Sequence, residues 1–119
     1  MNYRRLGNTD LFISEIGFGC MSLGTEDAIN DKLIHQAIEG GINFFDTAIN
    51  YRCQRSEKNI AYALRRLAGL GVAREQVFIS TKGGFLPAQE TPEGFREYIL
   101  KTYLNTGLIT PDDIVENCH

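Results

Sequence analysis

The sequence has no tryptophan, only three prolines and three cysteines, and no long apolar run. The longest uncharged stretch in its first third, residues 16–25, is ten residues long, whereas a membrane-spanning helix needs about 20. Cys20, Cys53 and Cys118 are odd in number and have no C-x-x-C spacing, which favours free thiols over a disulfide framework or a zinc site. We therefore predict neither a membrane span nor a metal site.

The sequence also lacks an excess of charge of one sign. Twelve Lys and Arg residues stand against 15 Asp and Glu residues, and the basic residues are scattered in pairs such as Arg4-Arg5 and Arg65-Arg66. This pattern predicts no binding to nucleic acid. The two N-terminal arginines are followed by the polar residues 7–10 and not by an apolar segment, so no signal peptide is predicted and we expect a cytoplasmic protein.

What is present is enough for one globular domain. The chain has 119 residues, of which 43% are hydrophobic and 23% charged, close to the averages of folded proteins. A length of this order corresponds to one domain of about 100–150 residues. From the composition and length we therefore expect an ordered chain and no second domain within these 119 residues.

Strand and helix patterns follow one another along the chain. Residues 3–6 and 11–14 flank a Gly-Asn-Thr-Asp turn and predict a β-hairpin. After it we predict strands over 16–21, 42–46 and 77–82, and helices from Glu26 to Ile38, from Ser56 to Ala68 and from Pro92 to Tyr103. Ser56 is predicted to be the N-cap of the second helix, and Gly40-Gly41 to end the first. Strands that alternate with helices indicate an α/β fold with a parallel sheet.

Three polar residues are predicted to meet where the strands end. In α/β folds functional side chains gather at the carboxyl ends of the strands. Asp46 and Lys82 close the second and third of the predicted strands, and Tyr51 lies five residues beyond Asp46. An ammonium group held by a carboxylate would stabilise the tyrosinate form and so make the phenol a better general acid. The sequence therefore predicts an acid-catalysis site.

Several motifs together resemble the N-terminal part of the aldo-keto reductases. They are GFGCMSLG at 17–24, GINFFDTA at 41–48 with Tyr51, Ser56-Glu57, and VFISTK at 77–82, in the family's order and spacing. The resemblance covers about residues 2–84. It implies a TIM barrel closed at its bottom by an N-terminal hairpin, and reduction of small carbonyl substrates with NADPH or NADH. It assigns Asp46, Tyr51 and Lys82 to three of the family's four catalytic positions.

The resemblance also suggests where the cofactor lies. The nicotinamide ring of the family sits near the end of the first barrel strand, where this sequence has Gly19, Cys20 and Met21. A contact with the cofactor and a role as a small buried thiol are both open for Cys20.

The sequence departs from the family in three respects: the composition of the 51–57 loop, the residues that precede His119, and the length. The loop lacks the glycine that the family usually has there. His119 lies 37 positions after Lys82, but the polar residues before it form a poor strand, so we predict that it is not the fourth catalytic residue. An eight-unit barrel needs about 250 residues. We therefore expect residues 1–119 to be the N-terminal portion of a single barrel domain, inactive alone and self-associating through its open sheet edge. The alternative is a non-catalytic barrel fragment or relative that acts by binding or assembly.

Overall fold

The protein begins with the predicted hairpin. The computed structural model describes residues 1–23, 26–84 and 92–113. Strands β1 (Tyr3–Arg5) and β2 (Phe12–Ser14) pair antiparallel, with Arg4 opposite Ile13. The Leu6 amide donates to the Leu11 carbonyl over 2.9 Å and so continues the pairing toward the turn. The prediction of a hairpin is confirmed.

Three further strands form a parallel sheet in chain order. They are β3 (Phe18–Gly19), β4 (Phe44–Asp46) and β5 (Phe78–Ser80), with β4 in the centre. The order and direction are as predicted, but each strand is shorter than the apolar run that predicted it. Backbone pairing extends beyond the strand bounds, as in the Phe78 N–H bond to the Asn43 carbonyl at 2.7 Å.

Two helices connect these strands. Helix α1 (Asp27–Glu39) ends where Gly41 adopts a φ of +90°, which confirms the predicted Gly-Gly stop. Helix α2 (Arg55–Ala68) begins one residue before Ser56, and its N-cap is Gln54. The prediction that Ser56 is the N-cap is therefore wrong. The Ser56 hydroxyl instead donates to the Cys20 carbonyl over 3.0 Å, because tertiary packing buries it completely.

The core lies between the sheet and these two helices. Phe45 is fully buried at its centre, with Phe18 and Ile79 beside it in register on the neighbouring strands. The ring centroids of Phe18 and Phe45 are 5.5 Å apart. The helices add apolar side chains to the same cluster, namely Ile34 from α1 and Ile60 and Ala63 from α2.

After β5 the regular elements of the described chain are helical. Helix α3 (Pro92–Ile99) is followed by a π-helical turn over Leu100–Leu104, so the third helix occupies its predicted span but changes its hydrogen-bond pattern at Leu100. Short 3₁₀ turns cover Arg74–Gln76 and Pro111–Asp113. Within the ranges given above, no helix has the length and apolar character needed to cross a membrane.

Candidate active site

The carboxyl ends of the three parallel strands lie side by side. Gly19, Asp46 and Ser80 are in register across the sheet. Backbone bonds continue past the strands, with Thr47 N–H donating to the Ser80 carbonyl at 2.8 Å and Ile49 N–H to the Lys82 carbonyl at 3.2 Å. We call the edge formed by residues 19–21, 46–51 and 80–82 the rim.

Asp46 and Lys82 form an ion pair on the rim. Lys82 Nζ donates to Asp46 Oδ1 at 2.9 Å and to Oδ2 at 2.8 Å, and it also donates to the Thr47 carbonyl at 2.8 Å. The two side chains are 46% and 47% exposed. Three acceptor oxygens therefore lie within 2.9 Å of the ammonium group, and together they fix the direction of the lysine side chain.

The pKa of Lys82 is raised above its ordinary value. The hydrogen bond to Asp46 is the largest cause, and Tyr51 adds to the shift by hydrogen bonding and by charge. Stability from a raised lysine pKa is complete at low and neutral pH and is lost only when the pH rises through that pKa, above the ordinary value of about 10.4. The ammonium form is thus the working form at neutral pH.

Tyr51 lies against the same ammonium group. Lys82 Nζ is 4.8 Å from the centroid of the Tyr51 ring. The Tyr51 amide donates to the Ala48 carbonyl over 3.1 Å, so a tight turn after β4 returns the side chain to the rim. The structure therefore brings together the three side chains that the sequence placed in one site.

A buried pair of hydroxyl groups supports the rim from below. Thr47 Oγ1 is 2.9 Å from Ser56 Oγ, and Ser56 donates its one hydroxyl hydrogen to the Cys20 carbonyl, so Thr47 must be the donor within the pair. The side chains of both residues are almost inaccessible, 1% and 0% exposed. Sequence reasoning assigned Ser56 only to a helix cap and missed this role. The Asp-Thr and Ser-Glu pairs were the signal available for it.

The three residues predicted to contact a cofactor differ in exposure. Gly19 is exposed, with open space where a Cβ would project, and Met21 is 66% exposed. Cys20 is fully buried, and burial, aided by the Asp46 charge, raises the pKa of its thiol to about 11. Its placement favours the buried-thiol interpretation, whereas Gly19 and Met21 remain on the open side of the rim.

Other sequence features have simpler outcomes. Across residues 1–23, 26–84 and 92–113 no group of three or more metal-ligating side chains is found. His119 lies outside the described residues, so the prediction about it stays a prediction. The loop without the family's glycine is left-handed at three successive residues, Arg52, Cys53 and Gln54, with φ of 51°, 53° and 67°.

The fold and the rim together define a class of protein. A parallel sheet with connecting helices, which carries a lysine–aspartate ion pair and a tyrosine at its carboxyl edge, places the chain in the α/β class, in which functional side chains gather at that edge. A model of the aldo/keto reductase family matches residues 15–110. The chain belongs to this family, which confirms the family and the fold class predicted from the sequence.

Individual relatives agree with this assignment. The chain is 42% identical over 84 residues to an uncharacterized oxidoreductase, YqkF, of Bacillus subtilis, an alignment that covers 71% of this chain and 26% of the relative. It is 38% identical over 91 residues to the 6-dehydroglucose reductase of Novosphingobium aromaticivorans, covering 71% and 30%. An aldo-keto reductase of Bacillus halodurans in its holo form superposes with a TM-score of 0.66 and 36% identity, covering 77% and 29%. The chain thus spans between a quarter and a third of each relative.

Proposed function

We propose that this chain is the N-terminal part of an NAD(P)H-dependent reductase that converts aldehydes or ketones to alcohols. One observation carries the proposal: Lys82 Nζ is bound by both carboxylate oxygens of Asp46 and lies 4.8 Å from the Tyr51 ring centroid. A carbonyl oxygen that gains electron density needs a proton, and a phenol beside a fixed cation is suited to give one.

Each of the three side chains has a separate role in this proposal. Tyr51 donates a proton to the carbonyl oxygen of the substrate. Lys82 stabilises the tyrosinate that remains, because its positive charge persists at neutral pH. Asp46 fixes the ammonium group through two hydrogen bonds, and Thr47 fixes it through a third. When bound, the reduced nicotinamide supplies the hydride that reaches the carbonyl carbon.

The rim offers room for the nicotinamide end of NADPH or NADH. Gly19 leaves open space beside Asp46, and the exposed Met21 offers an apolar surface to a planar ring. Within the described part of the rim the one lysine, Lys82, is already bound to Asp46. We therefore assign the cofactor phosphates to later strands of the barrel, which follow residues 1–119 in a protein of the relatives' length.

The incomplete barrel leads to three further parts of the proposal. Residues 1–119 form one portion of a single barrel domain, the fourth catalytic residue comes from a later strand, and the chain alone self-associates through its open sheet edge. We also propose a cytoplasmic location for the protein. A role in binding or assembly without catalysis is the competing outcome of the experiment below.

The test is the substitution Tyr51→Phe in the full-length protein, in which this chain is continued to the length of its relatives. Loss of the proton donor is expected to lower kcat for a simple aldehyde by a factor on the order of 10²–10⁴, with little change in cofactor affinity. Tyr62→Phe is the matched control, because Tyr62 is 54% exposed on α2, away from the rim. Steady-state kinetics measures both variants.

Two results would contradict the proposed function. A Tyr51→Phe variant within twofold of the wild type would remove Tyr51 from the mechanism. A full-length wild-type protein with no reductase activity toward any of a panel of aldehydes and ketones would favour the binding or assembly role.

A further inference from the structure

The turn after Tyr51 has a backbone conformation that these residues rarely adopt. Arg52, Cys53 and Gln54 all have positive φ, and none of them is a glycine. The left-handed region is sterically unfavourable for residues with a Cβ, especially in succession. Such conformations persist only where surrounding contacts determine them. The contacts that hold this turn therefore bear on the placement of Tyr51, the residue directly before it.

One side chain of the turn is hydrogen-bonded to a side chain of the second helix. Arg52 Nη1 donates to Asn59 Oδ1 of α2 at 2.9 Å, and Asn59 Nδ2 donates to Asp27 Oδ1 of α1 at 3.0 Å. Asn59 is only 7% exposed, so the guanidinium group reaches into the interface between the two helices. The first strained residue of the turn is thereby tied to the two helices that pack on the sheet.

The backbone bonds near the turn do not replace this tie. Tyr51 N–H to the Ala48 carbonyl, at 3.1 Å, closes the preceding turn. Three further bonds join the turn to the start of α2, namely Arg55 N–H to the Arg52 carbonyl at 3.1 Å, Ser56 N–H to the Tyr51 carbonyl at 3.4 Å and Lys58 N–H to the Gln54 carbonyl at 3.2 Å. None of these backbone bonds connects the turn to α1. Arg52 Nη2 is buried without a hydrogen-bond partner in the described structure. Such a donor lowers the stability of the fold, so the placement of the guanidinium group has a free-energy cost.

We propose that Arg52 is a positioning residue, which holds Tyr51 at Lys82 by tying the left-handed turn to Asn59 and, through it, to Asp27. This proposal rests on the proposed function for its catalytic consequence, but its structural content can be measured separately. Arg52 touches neither Lys82 nor Asp46 in the described contacts, so it acts through Tyr51. In this chain the arginine tie replaces the conformational freedom that a glycine would give the loop.

The experiment uses the full-length protein labelled with ¹³C at the tyrosine Cζ atoms, with the Tyr51 signal assigned from Tyr51→Phe. Arg52→Ala is expected to move or broaden the Tyr51 signal and to lower kcat at least about tenfold, with KM within about twofold, because small displacements of a catalytic group are costly. Arg52→Lys, which keeps the charge and the stem, is expected to recover part of both changes. If Arg52→Ala does not fold, the Tyr51 signal and kcat are compared between Arg52→Lys and the wild type instead, and smaller changes of the same kind are expected.

Two variants serve as controls. Gln54→Gly relaxes the strain at the third left-handed residue and keeps the hydrogen bond from Arg52 to Asn59. Arg55→Ala removes an exposed arginine three positions after Arg52. Both are expected to leave the Tyr51 signal and kcat unchanged. Equal effects of Arg55→Ala and Arg52→Ala would overturn the proposal, because the effect would then follow from the loss of positive charge.

The outcomes separate this proposal from the proposed function. An unmoved Tyr51 signal in Arg52→Ala overturns the positioning role, whatever the activity. A moved signal with normal kcat, in a protein that needs Tyr51, overturns its catalytic consequence. A moved signal in a protein that Tyr51→Phe leaves fully active supports the positioning of Tyr51 and contradicts the proposed function.

Discussion

The two faces of the parallel sheet are built from alternate residues of the same strands but have different surroundings. On one face Phe45 is fully buried among side chains of α1 and α2. On the other face Phe44 and Phe78 pair in register, remain partly exposed and line open grooves next to the hairpin. We call these the covered face and the open face.

The candidate site lies on the open face, which has fewer packing partners than the covered face. Since side chains alternate along a strand, Asp46 lies on the same face as Phe44 and opposite to Phe45. The covered face supplies the packing that holds the strands in register, whereas the open face carries the carboxylate that binds Lys82. In a closed barrel the open face would become the interior.

The largest expected difference between the faces is in stability. Phe45→Ala is expected to lower the free energy of unfolding by about 3–5 kcal/mol, because it leaves a cavity in the core. Phe78→Ala on the open face is expected to cost about 1 kcal/mol in the 119-residue chain, since its ring is already partly solvated. Urea unfolding followed by circular dichroism measures both variants. Equal losses would show that the open face is packed after all.

Thiol reactivity distinguishes the buried Cys20 of the rim from the partly exposed Cys53 of the turn after Tyr51. Because the pKa of Cys20 is raised to about 11, its reactive thiolate is about a hundredfold scarcer at pH 8 than in an ordinary thiol near pKa 9. Cys53 is partly exposed and is expected to react with iodoacetamide at least about a hundredfold faster. Peptide mass spectrometry over a time course gives the two rates separately.

The raised pKa of the Cys20 thiol also makes the stability of the fold depend on pH. Unfolding releases the Cys20 proton between about pH 9 and about pH 11, so stability is expected to fall as the pH rises through that window. A Cys20→Ser variant is expected to lose this part of the dependence. Reaction of Cys20 as fast as Cys53 at pH 8 would show that the rim is open beneath its backbone.

A smaller effect on stability is expected from the hydroxyl group of Ser56, which bonds to Thr47 and to the Cys20 carbonyl beneath the rim. Ser56→Ala removes the bond to the Cys20 carbonyl and the partner of Thr47, and is expected to cost about 1–3 kcal/mol, because buried polar groups lose their partners. Ser22→Ala is the control, since Ser22 is an exposed serine directly after the rim residues 19–21. Thermal unfolding compares the two variants. A loss in Ser56→Ala no larger than in Ser22→Ala would contradict this support.

Local sequence patterns were sufficient for the order of elements and for the ion pair. The hairpin turn, the Gly-Gly stop and the apolar runs each depend on neighbours in sequence, and parallel strands bring Asp46 and Lys82 to one edge whatever the packing. The role of Ser56 could not be predicted in this way. Its hydroxyl bonds to Cys20, 36 residues away, and this tertiary bond outweighs the serine's preference for a helix cap.

The left-handed turn was equally beyond local reasoning. Positive φ is normally signalled by glycine or asparagine, and Arg52, Cys53 and Gln54 carry no such signal. The missing glycine was visible in the sequence, but what replaced it was not. Only the three-dimensional contact between Arg52 and Asn59 shows how the turn is held.

We expect the rim of residues 1–119 to need the rest of a barrel on its open face before it can hold a cofactor. The most direct test of this claim is fluorescence titration of the 119-residue chain with NADPH, with the full-length protein as the positive control. No saturable binding in the micromolar range is expected for the chain alone, and micromolar or tighter binding is expected for the full-length protein. Micromolar binding by the 119-residue chain would contradict the claim, because the open face would then already hold a complete cofactor site.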